Sequence, residues 1–244
     1  MPHQISPPTV PAMLAKSAVP SDVPPTQEEV SSLLDTIFSA KTSQASVDAA
    51  YALCNLLLNS IGVRGLSVYG ILDAIKKGAT DKKVGAKRES AMNLLGGLFE
   101  RFPPAQPISE VVFMIQDGAV IALALDALAD KGTQVRESAQ YALEALFMNL
   151  SPESMVAALL PALQRYLGKR SGKWQGTVGA FEFIGRMADK AKMGMGSKEE
   201  ERQKDLLRES MGKKLAGLIP VVEAGMHDLK VEVRLLWLGL SAHS

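Results

Sequence analysis

Between Ala119 and Met187 the sequence draws the same figure twice, and that repetition constrains the fold more than any single motif. An apolar segment, Val120 to Leu128, runs into a charged turn, Asp130-Lys131-Gly132-Thr133, and then into a second segment, Val135 to Leu150. Met155 to Leu167, Gly168 to Lys173 and Trp174 to Met187 repeat the order of helix, basic turn and helix. Within each segment the apolar residues recur at the three- and four-residue spacing of a helix face. One hairpin of this kind cannot hide its own apolar stripe, whereas hairpins stacked side by side bury a continuous one. The pattern predicts a linear array.

Poorer copies flank this unit. Val30, Leu33, Leu34, Ile37 and Phe38 fall at helical spacing, and Thr26 with Glu29 forms a candidate capping box. After a polar turn at Lys41 to Ser46, Val47, Ala50, Tyr51, Cys54, Leu57 and Leu58 make the partner stripe. Leu66 to Ile75 reads as the next helix, Lys76 to Lys83 as its turn, and Ala86 to Phe102 as the return, stopped by Pro103-Pro104. Ile108 to Ile115 is a candidate short helix. Farther on, Leu215 to Met226, a turn at His227 to Lys230, and Val233 to Leu240 resume the figure. The array stops where another hairpin would close it, so Leu236, Trp237 and Leu240 are expected to be uncovered, with self-association or loss of the final helix as the consequence.

Two stretches interrupt the pattern. Residues 1–26 hold Pro2, Pro7, Pro8, Pro11, Pro20, Pro24 and Pro25 with few large apolar side chains, and read as a disordered proline-rich leader. Residues 189–209 contain Met193-Gly194-Met195-Gly196 and a run, Ser197 to Lys204, that is polar all round, and read as a flexible insertion. The remainder, 27–244, is expected to be one array of about five helix pairs. With 47% apolar residues in 244 there is enough for a core, while only 5% are aromatic and β-branched residues seldom alternate with polar ones, which argues against sandwiches and barrels. Cys54 is the single cysteine, so no intrachain disulfide forms; a buried apolar role in a reducing compartment fits it. No apolar run approaches the roughly 20 residues of a membrane span, and no signal core precedes the first helix. A cytoplasmic location, with nuclear visits allowed, is the expectation.

The turns carry a register. Asp81-Lys-Lys-Val-Gly-Ala-Lys-Arg88-Glu-Ser-Ala, Asp130-Lys-Gly-Thr-Gln-Val135-Arg136-Glu-Ser-Ala and Asp228-Leu-Lys-Val-Glu-Val233-Arg234 align, and the third copy places Trp174-Gln175 where the others have Val-Arg. An Asp able to cap, a basic turn, and Val-Arg opening the second helix is the pattern of HEAT repeats; Pro161 and Pro220 sit where such repeats bend in their first helix. The fold class read from this is an all-α HEAT-repeat α-solenoid, antiparallel helix pairs stacked into a right-handed superhelix. Arg88, Arg136 and Arg234 are expected to bond carbonyls or carboxylates of the adjacent turn and hold the repeats in register, with ligand binding by them the minor reading.

Catalytic signatures are missing. Gly168-Lys-Arg-Ser-Gly-Lys-Trp174 is too short for a phosphate-binding loop and ends in Trp. His3, His227 and His243 are isolated, and no nucleophile elbow occurs. Glu199-Glu200-Glu201 lies in the insertion, where catalytic geometry could not be held. A non-enzymatic chain with no cofactor and no small-molecule substrate is expected. What remains is a ridge: turns of one kind line up along one edge of a stack, and these carry Lys76, Lys77, Lys82, Lys83, Lys87, Lys131, Lys169, Arg170, Lys173 and Lys230. Such a row suits RNA phosphates or an acidic protein surface, or is simply polar. Trp174 beside Lys173 is either an exposed anchor or a plug beneath the next repeat, and the plug is favoured.

Leu-Leu-Pro-Ala-Leu163, the run Gly172-Lys-Trp-Gln-Gly-Thr-Val-Gly-Ala-Phe-Glu-Phe-Ile-Gly185, Leu-Ile-Pro220-Val-Val and Asp228 to Arg234 together resemble the N-terminal HEAT region of the fungal translation elongation factor 3 family. They are also similar to its ABC-F paralogues of the prion-forming and mRNA-export-linked type, and to the HEAT-repeat activator of general amino-acid control. The likeness is specific from Asp130 to Arg234 and weak before Leu66. It implies an array that precedes two ATP-binding cassettes and docks the ATPase on the ribosome, touching ribosomal RNA and ribosomal proteins. The cassettes are not in this chain, so ATP hydrolysis does not carry over. A tubulin-binding array of the TOG type, or a purely intramolecular scaffold, would use the same architecture.

Overall fold

The computed structural model describes residues 24–62, 64–101, 119–150, 154–168, 173–192 and Glu209, and among these it contains helices and no strand. Helix α1, Gln27–Ser39, starts at the capping box: Glu29 N–H donates to Thr26 Oγ1 at 3.2 Å and Thr26 N–H to Glu29 Oε2 at 2.8 Å. Helix α2, Ser43–Leu58, is capped by Thr42, whose Oγ1 accepts from Ala45 N–H at 3.2 Å. Then follow α3, Arg64–Val68; α4, Ile71–Ala79; α5, Gly85–Arg101; α6, Ala119–Ala127; and α7, Thr133–Asn149. A π turn, Met155–Leu159, leads into α8, Leu160–Gly168, and α9, Trp174–Lys192, closes the described array.

The helices stack in two layers. One layer runs α2, α5, α7; the other brings α4 against α6 and α6 against α8, and within the pairs α1 meets α2, α4 meets α5, α6 meets α7 and α8 meets α9. Buried apolar residues from all four pairs form one connected cluster, from Val30 in α1 through Leu53, Ile75, Leu95, Ile121 and Leu163 to Met187 in α9. This is the continuous core that stacking requires. Helix α5 sits at its centre, and every residue from Ser90 to Phe99 is buried. Cys54 is fully buried, and burial pushes its thiol up to about 12, so it behaves as a small apolar side chain.

Close approach on the α7 side of α5 is set by a glycine. A Cβ on Gly96 would meet the Tyr141 ring at 2.4 Å, and one on Gly97 would lie 3.5 Å from Cys54 Sγ. Gly96 therefore admits α7 and Gly97 faces α2. The Tyr141 ring is held at its hydroxyl, which donates to Glu100 as the Tyr51 hydroxyl does, with the two phenol oxygens 2.8 Å apart. Burial, with the Glu100 carboxylate at hand, raises Tyr141 well above the usual phenol range and Tyr51 to about 12. This knot joins α2, α5 and α7.

The structure corrects several boundaries. The helix expected from Leu66 to Ile75 is two helices, because Gly70 adopts φ 64°, ψ 25°, a left-handed conformation that breaks the run and starts α4. Lys76 and Lys77 belong to the last turn of α4 rather than to the turn proper. The first helix of the fourth pair opens as a π turn, with Leu160 N–H on the Met155 carbonyl; the wider turn relieves the clash that the Pro161 ring makes with a carbonyl one turn back. Helix α9 continues to Lys192, into the first residues expected to be insertion. The leader boundary also shifts, since Pro25 is buried and its carbonyl accepts a hydrogen bond from the Tyr69 hydroxyl. The candidate helix at 108–115, the rest of 189–209 apart from Glu209, and the last repeat at 215–240 lie outside the described residues.

Gly96→Ala is expected to destabilise the chain by about 1–3 kcal/mol, the usual cost of overpacking, here against a ring held at its hydroxyl. Urea denaturation followed by helical circular dichroism measures it, and an unchanged midpoint would show that the Tyr141 knot yields.

Candidate functional site

The turns of successive pairs come together along one edge, and their acids hold them there. Asp81 Oδ1 accepts from the backbone N–H of Lys83 and Val84, both at 2.8 Å, which closes the α4–α5 turn. Those backbone donors hold its carboxyl below the usual carboxylate range. Asp130 Oδ1 accepts from Gly132 N–H at 2.8 Å and closes the α6–α7 turn in the same way. These aspartates cap turns rather than helices, since α7 takes Gly132 as its N-cap without a side-chain bond.

Arg88 links one turn to the next. Its Nε donates to Asp130 Oδ2 at 2.7 Å and its NH2 to Asp130 Oδ1 at 3.0 Å, while NH1 donates to the Asp81 carbonyl at 2.8 Å. The side chains of Arg88 and Asp130 are only 11% and 12% exposed. The Arg88 bonds hold Asp130 low, helped by Gly132 N–H and opposed by burial, and in return raise the guanidinium. The register role expected of this arginine is what the structure places there. Arg136 grips its own turn instead: NH1 reaches the carbonyls of Asp130 at 2.8 Å and Lys131 at 3.2 Å, and NH2 reaches Thr133 Oγ1 at 3.0 Å. Arg234 lies outside the described residues.

With these acids committed, the exposed charge along the edge is cationic. An open groove of 410 Å³ crosses three turns, lined by Ala79, Thr80, Asp81, Lys82, Arg88, Ala129, Lys131 and Lys173. The structure thus brings Lys82, Lys131 and Lys173 to one groove. Lys83 is exposed in the first of these turns, and Lys87 on the first turn of α5 has a single long ion pair, 3.9 Å to Asp81. Trp174 is 37% exposed at the start of α9, so it is a surface residue and not the plug that the sequence favoured. Lys169, Arg170 and Lys230 lie outside the described residues. Sequence reading passed over the groove's neutral floor of Thr80 and Ala129, for which no local pattern gives a signal.

Elsewhere the polar contacts are structural. Arg186 on α9 bonds Glu144 on α7 at 2.5 and 2.8 Å and lies 4.3 Å above the Phe147 ring, which ties the last two pairs together. Tyr166 donates to Asp126 at 2.8 Å, joining α8 to α6. Among the described residues there is no cluster of His, Cys, Asp and Glu able to hold a metal ion, and no helix long and apolar enough to cross a membrane.

Comparison with known proteins agrees with this architecture. Residues 46–198, well over half of the chain, match the family described as the EF3 N-terminal HEAT repeat. The mRNA export factor elf1 of Schizosaccharomyces pombe is 28% identical over 207 residues, which are 85% of this chain and 17% of that protein. The [NU+] prion formation protein 1 of Saccharomyces cerevisiae is 27% identical over 134 residues, 54% of this chain and 10% of that protein. The chain thus spans under a fifth of the length of either relative. An engineered protein of known crystal structure covers 86% of the chain at 15% identity with a TM-score of 0.38, a likeness too distant to inform the fold.

Breaking the link between turns is expected to be costly and pH-dependent. Arg88→Ala leaves Asp130 nearly buried without its partner, for an expected loss of about 2–4 kcal/mol at pH 7. Because the folded state lowers the Asp130 pKa, the pair's contribution is full above the unfolded value of about 3.9 and is lost as pH falls from there through the lowered folded value. Denaturant melts of both proteins at pH 7 and pH 3 should show the difference shrinking in acid; a pH-independent difference would contradict the assignment.

Proposed function

The chain belongs to the EF3 N-terminal HEAT repeat family, and on that premise we propose that it is a non-catalytic module that docks a longer translation or mRNA-export factor on the ribosome. Its basic turn edge meets ribosomal RNA and ribosomal proteins, and its apolar faces serve only to stack. The observation that carries this reading is the groove shared by Lys82, Lys131 and Lys173, cations from three successive turns, with Asp81 and Asp130 of the first two engaged in internal bonds. Cations spaced along a stiff edge suit a polyanion better than a compact ligand, because each neutralised phosphate releases counterions. Trp174, exposed beside Lys173, adds a flat surface on which a base or a protein side chain can stack.

The reading places catalysis elsewhere. ATP-binding cassettes of the longer protein would supply it, and the array would carry them to their site of action. The S. pombe relative is named an mRNA export factor, which supports a cytoplasmic protein with a nuclear phase.

Cosedimentation of the purified chain with ribosomes across a salt series tests the proposal. Binding should weaken steeply with salt, and each of Lys82→Glu, Lys131→Glu and Lys173→Glu should lower affinity and flatten the log–log salt slope by roughly one unit for each phosphate left without its cation. Absence of binding even at low salt would overturn independent docking.

A further inference from the structure

The repeat register marks a position that holds an acid in one repeat and, among the described residues, none in the next. Arg88 holds its own turn through NH1 on the Asp81 carbonyl and sends Nε and NH2 forward to the two oxygens of Asp130. Arg136 is the same residue one repeat later. Its NH1 holds its own turn just as Arg88 does, on the Asp130 carbonyl at 2.8 Å. The forward half of the interaction is what differs: among the described residues no carboxylate reaches Arg136, and its Nε has no acceptor. Spacing back from Trp174-Gln175 puts Lys169 at the register position of Asp130, and no Asp or Glu occurs from Gly168 to Lys173.

The fork is also held ready. Two carbonyls and the Thr133 hydroxyl fix the guanidinium before any partner arrives, so little side-chain entropy is lost on binding. Lys131 and Lys173 line the adjoining groove and add positive field on the same side. We propose that Arg136, flanked by Lys131 and Lys173, receives a carboxylate from an acidic segment of a partner protein, seated on Arg136 as Asp130 is seated on Arg88. The inference rests on the turn edge being a docking edge and specifies what reaches this point of it. A carboxylate is favoured over a phosphate because the chain's own copy of the slot holds one, two-pronged on Nε and NH2.

The test uses the full chain with two labelled probes of equal net charge, an Asp/Glu-rich peptide and a single-stranded RNA, measured by fluorescence anisotropy. The peptide should bind more tightly than the RNA, and Arg136→Ala should weaken it roughly tenfold. Arg136→Lys should recover only part of the loss, since a point charge lacks the fork, and Lys82→Ala, farther along the edge, should change peptide affinity less. Circular dichroism of each variant separates lost binding from lost fold. Preference for the RNA, or peptide affinity unchanged in Arg136→Ala, would overturn the inference. Ribosome cosedimentation on the same samples keeps the two readings apart. If ribosomes bind while the peptide does not, the slot fails and docking stands; if the peptide binds through Arg136 while ribosomes do not, docking fails and the slot stands.

Discussion

Everything in this fold depends on the burial of α5. A helix pair has one apolar face per helix and two flanks, and only a neighbour on each flank removes that surface from water. In α5 the whole run from Ser90 to Phe99 is buried, so polar residues there need partners and large ones need space. Ser90 finds Ser46 at 2.9 Å across to α2, and Gly96 provides the room. The Tyr51, Glu100 and Tyr141 knot then fixes how far α2 and α7 can slide along α5. Once the helices are fixed on that scale, the turns have no choice but to line up at an edge.

The edge sorts its charges into two kinds. Asp81, Asp130 and Arg88 are occupied in closing turns and in tying one turn to the next, and the shifts at both carboxyls record it. Lys82, Lys131 and Lys173 stay exposed. Sequence composition alone, at a net charge of +1, hides this separation, because acids and bases are counted equally whether or not they are already paired.

Much of this was legible in the sequence, and the misses have physical reasons. The pairs, the Thr26 capping box and the register role of Arg88 follow from local spacing and from one repeat compared with another. The break at Gly70 was hidden because Val68, Ile71, Leu72 and Ile75 keep helical spacing straight across it, and a helix tolerates one glycine at a cost of about 1 kcal/mol. The π turn before Pro161 has no periodic signature of its own. Tyr51 and Tyr141 meet Glu100 from 49 and 41 residues away, a distance over which periodicity is blind. Trp174 was misjudged because a large aromatic next to a helix start fits a buried and an exposed role equally well in sequence; only its 37% exposure decides.

Gly96 of α5 also bears on how the chain comes apart. A stack of nearest-neighbour repeats can in principle fray from either end, one unit at a time. A helix packed on both sides, with α7 admitted so close at Gly96 that no methyl group fits between, cannot swing out alone without disturbing its neighbours. Among the described helices the amide protons of α5 are therefore the slowest to exchange with solvent, because α5 opens only together with its neighbours.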